Sequence, residues 1–239
     1  MLGVSAVFLD AGQTLLEADP PVESVYCNAF GEHGVEASVK DVRHAIDATW
    51  TEVGERRVRG EERWGNGGGE AGFWQRFVSR IYERVGGAAL PEALLHGLVA
   101  HFRDERHWRL YPEVRDVLPA LRARGLCLIV VSNWDSSLPG LLERLGVTPF
   151  LDGIVVSAAF GASKPSRSIF DEAIRLAGVP AAEALHVGDS LEEDYLGARA
   201  AGLQALLVDR MGHHRGQAET IASLDELLTR LPIGVRRGA

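Results

Sequence analysis

Apolar positions along the chain gather in five short runs, residues 6–9, 126–131, 153–156, 184–187 and 205–208. Each run is too short for a helix and rich in Val, Leu, Ile or Ala, which predicts buried β-strands. Between them lie segments with the helical spacing of apolar residues, at 114–124, 138–145 and 165–177, followed by Gly125, Gly146 and Gly178. Glycine just past the last turn is the ordinary stop signal of a helix. Strands that alternate with helices predict an α/β fold with a Rossmann-like parallel sheet. Each run also ends in small polar or charged residues: Asp10, Ser132 with Asn133, Ser157, Gly188 with Asp189 and Ser190, and Asp209. In open α/β sheets the carboxyl edge of the strands is where ligands bind.

The stretch 17–107 lacks runs of this kind and carries helical patterns at 22–33, 39–52, 73–85 and 91–105. It reads as a mostly helical cap inserted into the core, which predicts a core of residues 1–16 and 108–239 and a cap of residues 17–107. The run Gly65, Asn66, Gly67, Gly68, Gly69 must be a loop, because consecutive glycines carry a large ordering cost, and it is expected to be a mobile part of the cap. Trp50, Trp64, Trp74 and Trp108 fall in the same half and are read as helix-packing aromatics rather than substrate contacts. Residues 224–231 predict a last amphipathic helix, followed by a frayed tail. No internal repeat is present.

Composition narrows the function classes. With 46% hydrophobic and 24% charged residues the chain has ordinary globular usage. No apolar stretch approaches the roughly 20 residues of a membrane span, and no basic segment precedes the first apolar run, so the expected location is the cytoplasm. Cys27 and Cys127 are too few and too far apart for a disulfide framework or a zinc site and are read as small buried thiols. A formal net charge of −8 argues against nucleic acid, and the one late basic pair is Arg236–Arg237. Only Lys40 and Lys164 are lysines in a chain that otherwise uses Arg. A compact ammonium retained at 164 suggests that a point charge is wanted there.

The chemistry sits at the strand ends. Asp10, just past the first strand and followed by a turn with Gly12 and Thr14, can be a nucleophile or a metal ligand. Ser132 and Asn133 can present a hydroxyl and backbone N–H groups to an anion near a helix start, or simply cap that helix. Lys164 is expected immediately before a helix opened by Pro165, where the helix dipole disfavours a cation, so a compensating anion is expected nearby. Asp189 to Asp194 cluster carboxylates after a strand and call for a cation; oxygen ligands suit Mg²⁺ better than Zn²⁺. Gly188 is assigned to a tight turn, and His186 to the core rather than to a ligand set.

In this order, with a helical insertion after the first, these motifs resemble the haloacid dehalogenase-like hydrolase superfamily over nearly the whole chain. The resemblance implies a Mg²⁺-dependent phosphatase acting on a small phosphorylated metabolite through an aspartyl-phosphate intermediate. It implies Asp10 as nucleophile, Ser132 with Asn133 as phosphate-binding residues, and Lys164 as the charge-balancing catalytic and phosphate-binding residue. Metal contacts would come from Asp10, the Gly12 backbone carbonyl, Asp189 and, through water, Asp194. No membrane partner is expected, and the chain is a monomer or a cap-mediated dimer. The sequence departs from the phosphatase pattern at Gly12, where a second Asp serves as general acid and base. That departure keeps two other readings open: a fold that binds a phosphorylated ligand or a protein partner without chemistry, and a metal-independent 2-haloacid dehalogenase.

Overall fold

The computed structural model describes residues 3–61, 68–214 and 216–231. The chain divides into two compact units, Met1–Glu17 with Leu110–Ala239, and Ala18–Arg109. The first unit is built on a parallel sheet, β1 (Ala6–Leu9), β4 (Cys127–Ser132), β5 (Gly153–Val156), β6 (Ala184–Gly188), β7 (Gln204–Val208) and β8 (Thr220–Ile221), in the order β5-β4-β1-β6-β7-β8. The five apolar runs of the sequence are five of these strands. The sixth, β8, is only two residues long and too short to carry a pattern. Two further short strands, β2 (Leu16–Ala18) and β3 (Trp108–Leu110), form a separate two-stranded sheet where the chain passes between the units.

The order places β1 in the middle, so its residues Ala6, Val7, Phe8 and Leu9 are all fully buried. Alternation along each strand then sorts the side chains between the two faces. Ala6, Phe8, Ile129, Val131, Val155 and Ala184 form one hydrophobic cluster with Ile169, Phe170 and Ala173 of the helix Arg167–Ala177. That helix ends as read, on Gly178 in the left-handed conformation, but it begins differently. The expected start at Pro165 is wrong: Lys164 and Pro165 form a turn joined by a cis peptide, and the helix starts at Arg167. Lys164 is 2% exposed; its side chain turns into the protein instead of standing at a helix entrance. The helix after Ser132 and Asn133 starts where its pattern starts, at Leu138.

Among the described residues the second unit has four α-helices, α1 (Val22–Glu32), α2 (Val39–Val58), α3 (Gly69–Arg84) and α4 (Glu92–Arg103). Ser38 caps α2, its hydroxyl oxygen accepting from the Asp41 N–H at 3.1 Å. The packing is aromatic: Trp50 lies 4.3 Å from Phe77 and 6.2 Å from Phe73 between ring centroids, with Trp74 set edge-on. Trp50 and Trp74 thus pack helix on helix, and the Trp108 indole N–H donates to the Phe102 carbonyl. Trp64, Gly65, Asn66, Gly67 and the basic pair Arg236–Arg237 lie outside the described residues. Gly68, in the left-handed region, precedes α3, and Gly69 is its first residue. Cys27 and Cys127 are free and half-buried. Among the described residues no helix is long and apolar enough to cross a membrane.

Candidate active site

Asp10 follows β1 directly, and its N–H donates to the Val187 carbonyl at 2.9 Å, so the ladder to β6 runs on to the carboxylate-bearing residue. The chain then turns back on itself, Leu15 and Leu16 both donating to the Ala11 carbonyl and Gln13 to the Leu16 carbonyl. Gln13 has φ of 55°, unusual for a residue with a side chain. Neighbours hold it there: the Tyr111 hydroxyl donates to Gln13 Oε1 at 3.1 Å, and Arg210 donates to the Gln13 and Thr14 carbonyls. Arg210 itself stacks 3.5 Å over the Tyr111 ring and pairs with Glu113 at 2.8 Å.

Four of the expected residues meet at this edge. Lys164 Nζ donates to Asp10 Oδ1 at 2.6 Å and also to Asp194 Oδ1. Asp10, Asp189 and Asp194 offer oxygens that all lie within 4.8 Å of one another, the one such group among the described residues. The anion expected near Lys164 is therefore a pair of buried carboxylates. Burial pushes the Asp10 pKa up, against the Lys164 charge and hydrogen bonds from Lys164 and Ser132. Asp189 is raised well above the ordinary carboxylate range by burial and by the charges of Asp10 and Asp194. Asp194 goes the other way: burial opposes it, but Lys164 and His186 together hold it well below that range. Lys164 is raised, because Asp10, Asp194 and Glu193 outweigh its desolvation.

Several supporting residues had no clear signal in the sequence. His186, on β6, brings Nε2 to 2.7 Å from Asp194 Oδ1. A carboxylate only accepts, so Nε2 carries the proton. The ring lies edge-on to Phe170 at 5.2 Å, so His186 belongs to the core and to the carboxylate's hydrogen-bond set at once. Asp194 Oδ2 accepts from the Ser190 N–H at 3.0 Å. Gly188 is explained by this carboxylate rather than by a turn: a Cβ there would lie 2.2 Å from Asp194 Cγ. The Asn133 amide is committed within the protein, donating to the Lys164 carbonyl (3.0 Å) and Glu193 (2.8 Å) and accepting from the Lys164 N–H (2.8 Å). It anchors the loop that delivers the lysine. Asp209 is committed as well, accepting from the N–H groups of His213 and His214.

Against known proteins, residues 4–202 match the model of the haloacid dehalogenase-like hydrolases. The chain belongs to this family. It is 31% identical over 203 residues to the haloacid dehalogenase-like hydrolase domain-containing protein 3 of Bos taurus, covering 83% of this chain and 79% of that protein. It is 32% identical over 170 residues to a phosphoserine phosphatase of Thermus thermophilus, covering 70% and 64% of the two chains. In fold it is similar to the magnesium-bound HAD-hydrolase YfnB of Bacillus subtilis, with a TM-score of 0.75 at 20% identity over 96% and 99% of the chains. In this hydrolase, Gly12 leaves the position two residues beyond Asp10 without a side chain, and a Cβ there would meet Trp134 Cζ3 at 3.3 Å.

Proposed function

We propose that this hydrolase is a Mg²⁺-dependent phosphoric monoester hydrolase that attacks a small phosphorylated metabolite with the Asp10 carboxylate. The observation that carries the reading is the convergence of Lys164 on Asp10 and Asp194 beside Asp189, at the carboxyl edge of a parallel sheet. Three carboxylates sharing one lysine leave excess negative charge in a buried place, and their hard oxygens suit Mg²⁺. Asp10 and Asp189, with the Gly12 carbonyl in the adjoining turn, would hold the ion directly. Asp194 would act through water, since its oxygens already accept from Lys164, His186 and Ser190. When bound, the ion neutralises the phosphoryl oxygens and lowers the cost of bringing two anions together.

The chain's own residues supply the rest. The Lys164 ammonium opposes the upward push of burial on the Asp10 pKa and places a second positive charge beside the reacting group. Ser132, at the end of β4, is 2% exposed and hydrogen-bonds toward Asp10, where its hydroxyl can donate to a non-bridging phosphoryl oxygen. An Asp10 oxygen attacks phosphorus, the bond to the leaving oxygen breaks with its electron pair, and water later attacks the phosphoaspartate to release phosphate and regenerate the carboxylate. With glycine at position 12, no acid stands there to protonate the departing oxygen. General acid catalysis is worth about 10²- to 10⁴-fold, so leaving groups that depart as stable anions are favoured.

The test is turnover of p-nitrophenyl phosphate with and without Mg²⁺, in the wild type and Asp10→Asn. Metal-dependent turnover abolished by the substitution is the expected result. Gly12 also motivates a second reading, binding without chemistry: Mg²⁺ uptake with no phosphate released from any of a broad panel of esters would favour it. Halide release from 2-haloacids without metal would instead point to a dehalogenase.

A further inference from the structure

An aromatic ring borders the space in front of Gly12. Among the described residues, and beyond the chain neighbours of Gly12, only Trp134 Cζ3, at 3.3 Å, lies within 4 Å of where a Gly12 side chain would begin. The ring is held there from its backbone. The Trp134 N–H donates to Ser157 Oγ at 3.1 Å, the Ser157 hydroxyl reaches the Trp134 carbonyl at 3.2 Å, and the Ala158 N–H donates to the same carbonyl at 3.2 Å. Ser157 is itself fully buried, directly after β5, where it opens the short helix Ser157–Phe160. Trp134 is half-buried, and its contact at Gly12, two residues beyond Asp10, sets the indole beside the turn that follows the nucleophile.

We propose that Trp134 is the leaving-group-binding residue of this site and that the site takes phosphate monoesters whose leaving group is a flat aromatic alcohol. The inference rests on the phosphohydrolase reading above. Two features point to the same substrate class. A phenol ionises near pH ~10, as tyrosine does, several units below an alkanol, so a phenolate departs without the acid that Gly12 cannot supply. A flat ring also gains contact with the indole face or edge, which an aliphatic chain of similar size does not match. The close approach also bears on glycine at position 12: a Cβ grafted there requires the ring to give by a few tenths of an ångström.

The experiment compares two hydrolysis-resistant probes, phenylphosphonate and methylphosphonate, by calorimetric titration of the full chain with Mg²⁺. In the wild type the phenyl probe is expected to bind about two- to tenfold more tightly than the methyl probe. Trp134→Ala should abolish that ratio and Trp134→Phe should keep most of it. Equal binding of both probes by the wild type, or a phenyl preference that survives in Trp134→Ala, overturns the proposal while leaving the phosphate site standing. Binding of neither probe overturns the underlying reading and this one with it. In a second arm, Gly12→Asp alone should leave methyl phosphate turnover unimproved, whereas Gly12→Asp with Trp134→Ala should raise it by about 10²-fold or more. A full gain in the single variant would show that the ring does not occupy the position.

Discussion

Lys164 is buried with two carboxylates, and the worth of such a group is set by what its removal leaves behind. A buried charge that loses its partner costs about 3–5 kcal/mol. Lys164→Met should therefore destabilise the metal-free protein by about that much, read as a lower urea midpoint at unchanged slope. Mg²⁺ should recover part of the loss, since it supplies positive charge to the same oxygens. No change in midpoint would mean that Asp10 and Asp194 are not held ionised by this lysine. Gly188→Ala is the complementary test. Its Cβ would press on a carboxylate fastened on both oxygens, by Lys164 and His186 on one side and Ser190 on the other. The carboxylate has to move, and Mg²⁺ affinity by calorimetry should fall about 10- to 100-fold, the usual effect of disturbing groups around a metal. His186→Phe keeps the contact with Phe170 but removes the donor, and should fall in the same range with little loss of melting temperature. If His186 only packs, the affinity will not move.

At the scale of elements, Asp152 joins three pieces of the core. Its carboxylate accepts from the Leu128 N–H at 2.8 Å at the start of β4 and pairs with Arg122 in the helix Val114–Ala123, while its own N–H donates to the Leu128 carbonyl just before β5. Because the group is partly exposed, screening trims its contribution, and Asp152→Ala should cost about 1–2 kcal/mol in thermal or urea unfolding without touching turnover. Asp152 carried no signal in the sequence, and its case shows what pattern can and cannot reveal. The five long strands were legible because burial on both faces makes each one a continuous apolar run. β2 and β3 escaped notice because three residues hold no period. The helix start at Pro165 misled because proline is at home in a first turn, yet here the need to aim Lys164 inward decides the local path. Asp10, Lys164, Asp189 and Asp194 were legible by type and order at strand ends. His186 and Trp134 were not: one looks like any core residue of a strand, and the other matters through a contact with Gly12, far away in the chain.

For the molecule as a whole, three carboxylates clustered beside one buried ammonium leave local negative charge inside the fold, and this couples stability to pH and metal together. Asp10 and Asp189 have folded pKa values above the unfolded value of 3.8, so between that value and their folded pKa values the folded chain binds more protons than the unfolded one. Their contribution is full below the unfolded pKa and is lost as pH rises through the folded values. Asp194, lowered, has the opposite sign: its contribution is present above 3.8 and lost as pH falls through its folded value. Above the unfolded value and up to the folded values, the raised groups, Asp189 foremost, set the trend, because Asp194 is already ionised in both states. A divalent cation reverses the trend by favouring the deprotonated oxygens, so its binding should release protons. In chelator, the melting temperature of the wild type should decline between pH 5 and pH 7.5 more steeply than that of Asp189→Asn. The increment from saturating Mg²⁺ should grow over the same interval, with proton release visible as a dependence of the calorimetric heat on buffer ionisation enthalpy. Parallel pH profiles in the wild type and Asp189→Asn would show that Asp189 is not the group whose burial carries the coupling. A Mg²⁺ increment independent of pH would show that the carboxylates are already ionised throughout, with the lysine alone sufficient to hold them.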